Sequence, residues 1–285
     1  MKLTNDVFSR KMYFCFVSPA GSRPIAVYAA LLKGRPGMQN LLLDCGVSYN
    51  YPDVEQLCLE GGLTPEDIDI VINTHCHADH AGCNQVLKRK VPAIKFWAHP
   101  FARPLLASKT LHFDTRPVPY FHFLMEGDTV LDRTLADGEI LENTGYPVHI
   151  LHTPGHSADS ISLYLPDDGL LLAGDAIINM EEIPFYEDAA AMYQTLDKLA
   201  VLRPKVVLSA FNGLWDMAEH GDLFMLAKQR LDTIQKSVET ALAQKPDAAE
   251  VDVGQAALDA LGIPMPVSPL FLAGIRSHMN LVNSR

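Results

Sequence analysis

Apolar and polar residues follow two rhythms along this chain. Through roughly the first two thirds, short apolar runs are broken by turn residues, the signature of strands. "AVYAALLKG" and "NLLLDCG" are such runs, and the Gly- and Pro-containing "KGRPGMQN" between them predicts a hairpin. "YPDVEQLCLEGG" reads as a helix, and Thr64-Pro65-Glu66 as a further helix start with Pro at its first position. "IDIVIN" is almost continuously apolar, as expected of a strand covered on both faces. A helix over "AGCNQVLKRK" and a strand over "AIKFWAHP" follow. Residues 99–128 are irregular and rich in Pro and aromatics, which suggests a lid or a pocket wall. Strands resume with "TVLDRTLADGEI", "VHILHTPGHS", "SISLYLP" and "GLLLAGDA". From Asp188 the spacing turns helical in "DAAAMYQTLDKLAVL", "KVVLSAF" reads as a last strand, and helices fill the remainder. The expectation is one continuous domain over 1–285, with a core over 1–215 and a helical C-terminal appendage over 216–285. That tail could form a homodimer surface, cover a pocket or extend the core.

Composition narrows the function classes. The chain has 285 residues, 48% hydrophobic and 20% charged, the profile of a soluble globular protein. A formal net charge of −11 argues against nucleic acid or an anionic membrane as partner and leaves a small-molecule substrate. Cys15, Cys45, Cys58, Cys76 and Cys83 are odd in number and irregularly spaced, so reduced thiols and a cytoplasmic location are expected. The N-terminal residues lack the apolar run of a secretory signal.

Chemistry concentrates in "VINTHCHADHAG", which places His75, His77, Asp79 and His80 just after an expected core strand. Residues i and i+2 of extended backbone project to one side, so His75 and His77 can converge on one ion. Asp79 and His80, beyond a change of direction, can address a second. His156 follows a strand and a Pro-Gly turn, and Asp175 ends another strand, giving six candidate ligands. Imidazole and carboxylate suit zinc, with iron or manganese as alternatives. Cys76 lies on the opposite side from its histidine neighbours and reads as packing.

With these pieces in place, the chain resembles the metallo-β-lactamase superfamily, specifically its lactonase and glyoxalase-II-like hydrolase branches. The matching segments are "LLLDCG", "THCHADHAG", "LADGEIL", "HTPGHS" and "GDA", in the family's order. The resemblance implies an α/β fold, a four-layer αββα sandwich with two divalent metal ions at one edge. It implies that His75, His77 and His156 hold the first metal, that Asp79 and His80 hold the second, and that Asp175 bridges them. Asp44 would orient a ligand histidine. The implied activity is hydrolysis of an ester, lactone or thioester by a metal-activated hydroxide, with Asp79 as the catalytic group that holds the nucleophile and passes on a proton.

The pattern breaks at one place. The family usually supplies another histidine after a late strand, where this chain has Phe211 and Asn212. Either His220, Asn212 or Asp216 takes over, or the second site is weak. Ile178 stands where acyl-homoserine lactonases carry a tyrosine, which counts against that substrate. "NTHCHADH" also resembles the persulfide dioxygenases, whose single iron would sit on His75, His156 and Asp175. A binding protein that has kept the fold and lost turnover is the third option.

Overall fold

The fold was obtained as a computed structural model, which describes residues 1–18 and 21–283. The first sheet contains β1 (Val7–Ser18), β2 (Gly21–Leu32), β3 (Leu41–Leu43), β4 (Ile70–Ile72), β5 (Lys95–Ala98) and β6 (Arg133–Thr134), adjacent in that order. β1 to β3 pair antiparallel, and β3 to β6 pair parallel. Its connections carry α1 (Tyr51–Glu60), α2 (Ala78–Ala81), α3 (Asn84–Lys90), α4 (Arg103–Leu106), α5 (Lys109–Thr115) and α6 (Phe121–Leu124). The second sheet contains β7 (Ile140–Leu141), β8 (Val148–His152), β9 (Ile161–Leu165), β10 (Leu170–Gly174), β11 (Val206–Ser209) and β12 (Gly213–Asp216). Its spatial order runs from β12 at one edge to β7 at the other, with only β10 and β11 parallel. The helices on this side are α7 (Ala189–Val201), α8 (Met217–His220), α9 (Leu223–Gln244), α10 (Glu250–Ala260) and α11 (Pro269–Asn283).

Alternation along single strands shows the layering. In β3, Leu41 and Leu43 face the cluster between the sheets, while Leu42 faces the helices outside. β4 repeats this, with Ile70 and Ile72 inward and Val71 outward. In β10, Leu170 and Leu172 join the central cluster, and Leu171 and Ala173 meet α7 and α9–α11. A strand with two apolar faces must be covered twice, which dictates the αββα order. The three apolar clusters are thus one between the sheets and one beneath each helical layer.

Several local expectations are corrected. Thr64 opens a single 3-10 turn, Pro65–Asp67, not an α-helix. The Asp67 carboxylate accepts the Thr64 backbone N–H at 2.8 Å, and the chain then enters β4. "KVVLSAF" is not the last strand, because "GLWD" returns antiparallel as β12. Gly213, at φ +72°, makes that reversal in four residues, too short for a hydrophobic period to reveal.

A buried relay ties α9 and α11 to the loop before α7. Tyr186 Oη donates to His278 Nε2 at 2.7 Å, and His278 Nδ1 donates to Gln235 Oε1 at 2.6 Å. The first bond requires a neutral imidazole, because a protonated Nε2 cannot accept it. Burial drives the His278 pKa from its ordinary 6.5 down to about 4, against a small opposing pull from Glu239. Between those values the unfolded chain binds a proton that the folded protein excludes, so stability falls as pH is lowered through this window. The effect is roughly 3 kcal/mol for this residue. Urea unfolding at pH 7 and pH 4.5 should show a smaller acid loss in His278→Gln than in the parent. An unchanged pH slope would contradict this assignment.

Candidate metal centre

The ends of four strands meet at one edge of the sandwich. β3 leads into Asp44, β4 leads into His75 and His77, the turn after β8 carries His156, and β10 leads into Asp175. Asp44 takes φ +58°, a strained left-handed conformation for a non-glycine residue. This turns its carboxylate beneath the histidine loop. There it accepts Thr74 N–H at 2.8 Å, Thr74 Oγ1–H at 2.8 Å and His80 Nδ1–H at 2.8 Å. Burial raises the Asp44 pKa, and His80 opposes that rise.

These bonds assign the imidazole tautomers. His80 and His75 donate through Nδ1, the latter to Thr74 Oγ1 at 3.1 Å. His156 donates through Nδ1 to the Phe185 carbonyl at 2.7 Å. All three therefore turn Nε2 inward. His156 Nε2 lies 3.1 Å from Asp175 Oδ2 and 3.0 Å from His77 Nδ1. His80 Nε2 lies 3.2 Å from Asp175 Oδ1, and His75 Nε2 lies 3.8 Å from Asp175 Oδ2.

The donor set fits cations. His75 Nε2, His80 Nε2 and Asp175 Oδ1 are buried without a hydrogen-bond partner among the described residues. Leaving such atoms unpaired costs about 1–3 kcal/mol each, and more where charge is involved. Two triads bring ligand atoms within 4.8 Å of one another: His75, His77 and His156, and His75, His80 and Asp175. They share His75 and are consistent with a two-metal centre. Burial lowers the His75 pKa far below its ordinary value, helped by His80 and His156, and burial with Arg116 does the same for His77. Both are held neutral, the ligating form. At His80, burial opposes charge, but Asp175, Asp44 and Asp79 outweigh it and raise the pKa. Burial likewise opposes charge at Asp175, and neighbouring His80 and His156 pull its pKa below the carboxylate range. A cation there would satisfy His80 Nε2 and Asp175 Oδ1 together, the two atoms being 3.2 Å apart.

Asp79 stands at the mouth, with its side chain 19% exposed and Oδ2 3.8 Å from His80 Nε2. The substitutes for the missing late histidine are committed elsewhere. Asn212 braces the loop after β10, accepting Met180 N–H at 2.9 Å and donating to the Ile178 carbonyl at 2.9 Å. Asp216 caps α8, and exposed His220 packs on Trp215 with ring centroids 5.3 Å apart. Phe211 lines the cleft with a ring that cannot ligate. Cys76 is 1% exposed and burial pushes its thiol pKa far up, as befits packing.

Above the ligands opens a largely apolar cleft of about 890 Å³, counting its open mouth. The irregular stretch 99–128 forms one wall with Val118, Phe121 and Leu124. Ile177, Ile178, Ile183 and Phe185 form the other. Phe14 and Ile25 reach in from the β1–β2 hairpin, whose Arg23 pairs with Glu182 across the cleft at 3.2 Å. Sequence reasoning missed Thr74, His112 and Arg116. The last two also line the cleft, and their only prior signal was four-residue spacing within the irregular stretch.

Gly155 sets the position of His156. It has φ +134°, and a Cβ there would lie 2.7 Å from Met192 N and 2.8 Å from Met192 Cα. Gly155→Ala should cost at least about 3 kcal/mol, since forbidden backbone and overpacking add. Equilibrium unfolding checks this, and a loss below about 1 kcal/mol, the size of an ordinary point change, would contradict it.

Fold and site together define a metallohydrolase-like architecture. A family model for the metallo-beta-lactamase superfamily matches residues 23–210, and the chain belongs to that superfamily. Among curated relatives, a hydroxyacylglutathione hydrolase of Rhizobium meliloti is 27% identical over 133 residues, 46% of this chain and 43% of that protein. One from Brucella anthropi is 27% identical over 136 residues, 47% of this chain and 44% of that protein. The matched region thus spans less than half the length of these relatives. Among solved structures, a metallo-beta-lactamase family protein from Thermus thermophilus superposes with TM-score 0.72 at 22% identity, covering 99% of this chain and 95% of that one. A beta-lactamase domain protein from Burkholderia ambifaria gives TM-score 0.72 at 17% identity, covering 100% and 89%.

Proposed function

We propose that the protein is a metal-dependent hydrolase of an ester, thioester or lactone carbonyl. The observation that carries this reading is the convergence of His75 Nε2, His80 Nε2 and Asp175 Oδ1, without hydrogen-bond partners among the described residues, beneath an apolar cleft that His77, Asp79, His156 and Asp175 line. His75, His77 and His156 would hold one cation, and Asp79, His80 and Asp175 a second. When bound, such cations supply a hydroxide nucleophile near neutral pH and polarise a carbonyl oxygen. Zinc suits the donors first, with iron and manganese as alternatives.

The chain's own residues do the rest. Asp44 and Thr74 fix the ring planes of His75 and His80, so the ligand geometry is set before substrate arrives. Asp79, at the mouth, would accept a proton and return it to the leaving group. The apolar walls exclude water around the reacting carbonyl and suit a hydrophobic acyl group. No Ser, Thr or Cys lines the cleft among the described residues, which favours water over a covalent nucleophile. Ile178, 2% exposed, brings no hydroxyl to the carbonyl, which supports esters and thioesters over acyl-homoserine lactones. The hydroxyacylglutathione hydrolase relatives also support a hydrolase. Five free cysteines, four of them buried, fit a reducing cytoplasmic setting. No helix among the described residues is long and apolar enough to cross a membrane.

A panel of p-nitrophenyl esters, aryl thioesters and lactones, run with chelated and zinc-, manganese- or iron-loaded protein, tests this reading. Cleavage that requires the metal and proceeds without oxygen is expected. Phe211, where a ligand is usual, favours a single-metal dioxygenase as the second reading. Oxygen consumption on a persulfide by the iron-loaded form, with no ester cleaved, would replace the first reading by the second.

A further inference from the structure

Of the polar side chains that line the cleft outside the metal ligand set, Arg23 and Glu182 pair with each other, while His112 and Arg116 stand on the wall beside His77. His112 belongs to α5 and Arg116 caps its C-terminus, four residues apart and therefore on one helix face. Both line the cleft. His112 is 1% exposed, and its Nδ1 is buried with no hydrogen-bond partner among the described residues. Its ring stands edge-on to Phe121 with centroids 4.9 Å apart, and its centroid is 6.3 Å from that of His77.

Arg116 is poorly matched where it stands. Its Nη1 meets His77 Nδ1 at 3.1 Å, His77 Nε2, and Glu187 Oε1 at 3.5 Å. Neutral imidazole has one lone pair. If His77 spends it on a cation, its other nitrogen carries a hydrogen and faces Arg116 donor to donor. The Glu187 contact is at the limit of hydrogen bonding, and that side chain is 48% exposed. Other arginines of this acidic chain are better served: Arg10 binds Asp53 at 3.1 Å and Glu60 at 3.0 Å, and Arg23 binds Glu182 at 3.2 Å. A fork of five N–H donors set in an apolar recess beside a ligand histidine calls for an anion.

We propose that Arg116 and His112 form a subsite for a carboxylate on the acyl portion of the substrate, so that the substrates are esters or thioesters of acids bearing a second, free carboxylate. The assignment rests on the hydrolase reading. Arg116 offers two parallel N–H bonds to the carboxylate, and the unpartnered nitrogen of His112 adds a third contact. Val118 and Phe121, beside them in the wall, cover the methylene stem. Because Arg116 abuts His77, the anion sits only a few bonds from the scissile carbonyl, which favours short dicarboxylic half-esters.

The test compares p-nitrophenyl butyrate with p-nitrophenyl hemiglutarate, in zinc-loaded parent, Arg116→Gln and Arg116→Lys. The parent should prefer the acidic ester. Arg116→Gln should reduce the ratio of the two kcat/KM values by ~10- to 100-fold, mainly through the KM of the hemiglutarate, and Arg116→Lys should recover part of it. Calorimetric titration with glutarate should show binding to the parent that weakens by a similar factor in Arg116→Gln. An unchanged ratio, with both esters falling together, would reduce Arg116 to a support for His77 and overturn the proposal. If the parent cleaves neither ester, the hydrolase reading fails and the glutarate titration decides the subsite alone. Equal glutarate affinity in parent and variant, or none in the parent, overturns it.

Discussion

Replacing Asp175 with asparagine should leave the sandwich folded and strip the centre of tightly held metal. Among the carboxylates of the site, Asp175 alone faces three ligand histidines, at 3.8, 3.2 and 3.1 Å from His75, His80 and His156. Asp79 approaches only His80, and Asp44 reaches that ring from its other nitrogen. Asparagine fills nearly the same volume, so the packing of β10 on β9 and β11 should persist. What disappears is a negative charge in a buried place, where charge counts for far more than in water. Metal affinity should fall by at least about a hundredfold, the upper end of what outer-shell substitutions cost. Metal-dependent turnover should fall at least in proportion. Competition with a chromophoric chelator measures the first, and an undiminished affinity would remove Asp175 from the ligand set.

Asp44→Ala should have the second largest effect, on stability as well as on metal. The carboxylate has no line of sight to substrate, being 3% exposed beneath the histidine loop. Its removal strands three donors at once: Thr74 N, Thr74 Oγ1 and His80 Nδ1. Buried unpaired groups cost about 1–3 kcal/mol each, so a loss of roughly 3–5 kcal/mol is expected after partial relaxation. Alanine also inherits a backbone at φ +58°, which aspartate tolerates better. Freed of their anchors, the rings of His75 and His80 lose their fixed tautomers, and metal affinity should drop about 10- to 100-fold. Urea unfolding and chelator competition on one protein sample read both. A stability change below about 1 kcal/mol would mean that water or another acceptor replaces the carboxylate.

How much of this was legible in the chain depends on the range of the interactions. β3, β4 and β10 could be read because a strand covered on both faces must be apolar at every position, as "LLL", "IVI" and "LLLAG" are. The ligand histidines were legible as a dense cluster following a core strand; the chain bends at Thr74–Cys76 instead of staying extended, and still brings the rings of His75 and His77 to 4.4 Å between centroids. The β1 strand was obscured by its charges: Arg10 and Lys11 lie within it, with Arg10 paired to Asp53 and Glu60 on α1. The fate of Asn212 could not be read either. Its amide bonds to Met180 and Ile178, more than thirty positions away, and only the fold creates that neighbourhood. Arg116 and His112 stayed hidden for a related reason. The three short helices of the 103–124 stretch span four to seven residues each, too few for periodicity to stand out.

Two buried imidazole nitrogens and one oxygen of a shared carboxylate, left without hydrogen-bond partners among the described residues, are proposed to hold divalent cations. Elemental analysis of the purified protein, after loading with zinc and exhaustive desalting, tests this claim most directly. At least one tightly retained equivalent per chain is expected, with a second lost to a weak chelator because Phe211 supplies no ligand. A chain that retains no metal, while circular dichroism shows it folded, would contradict the claim.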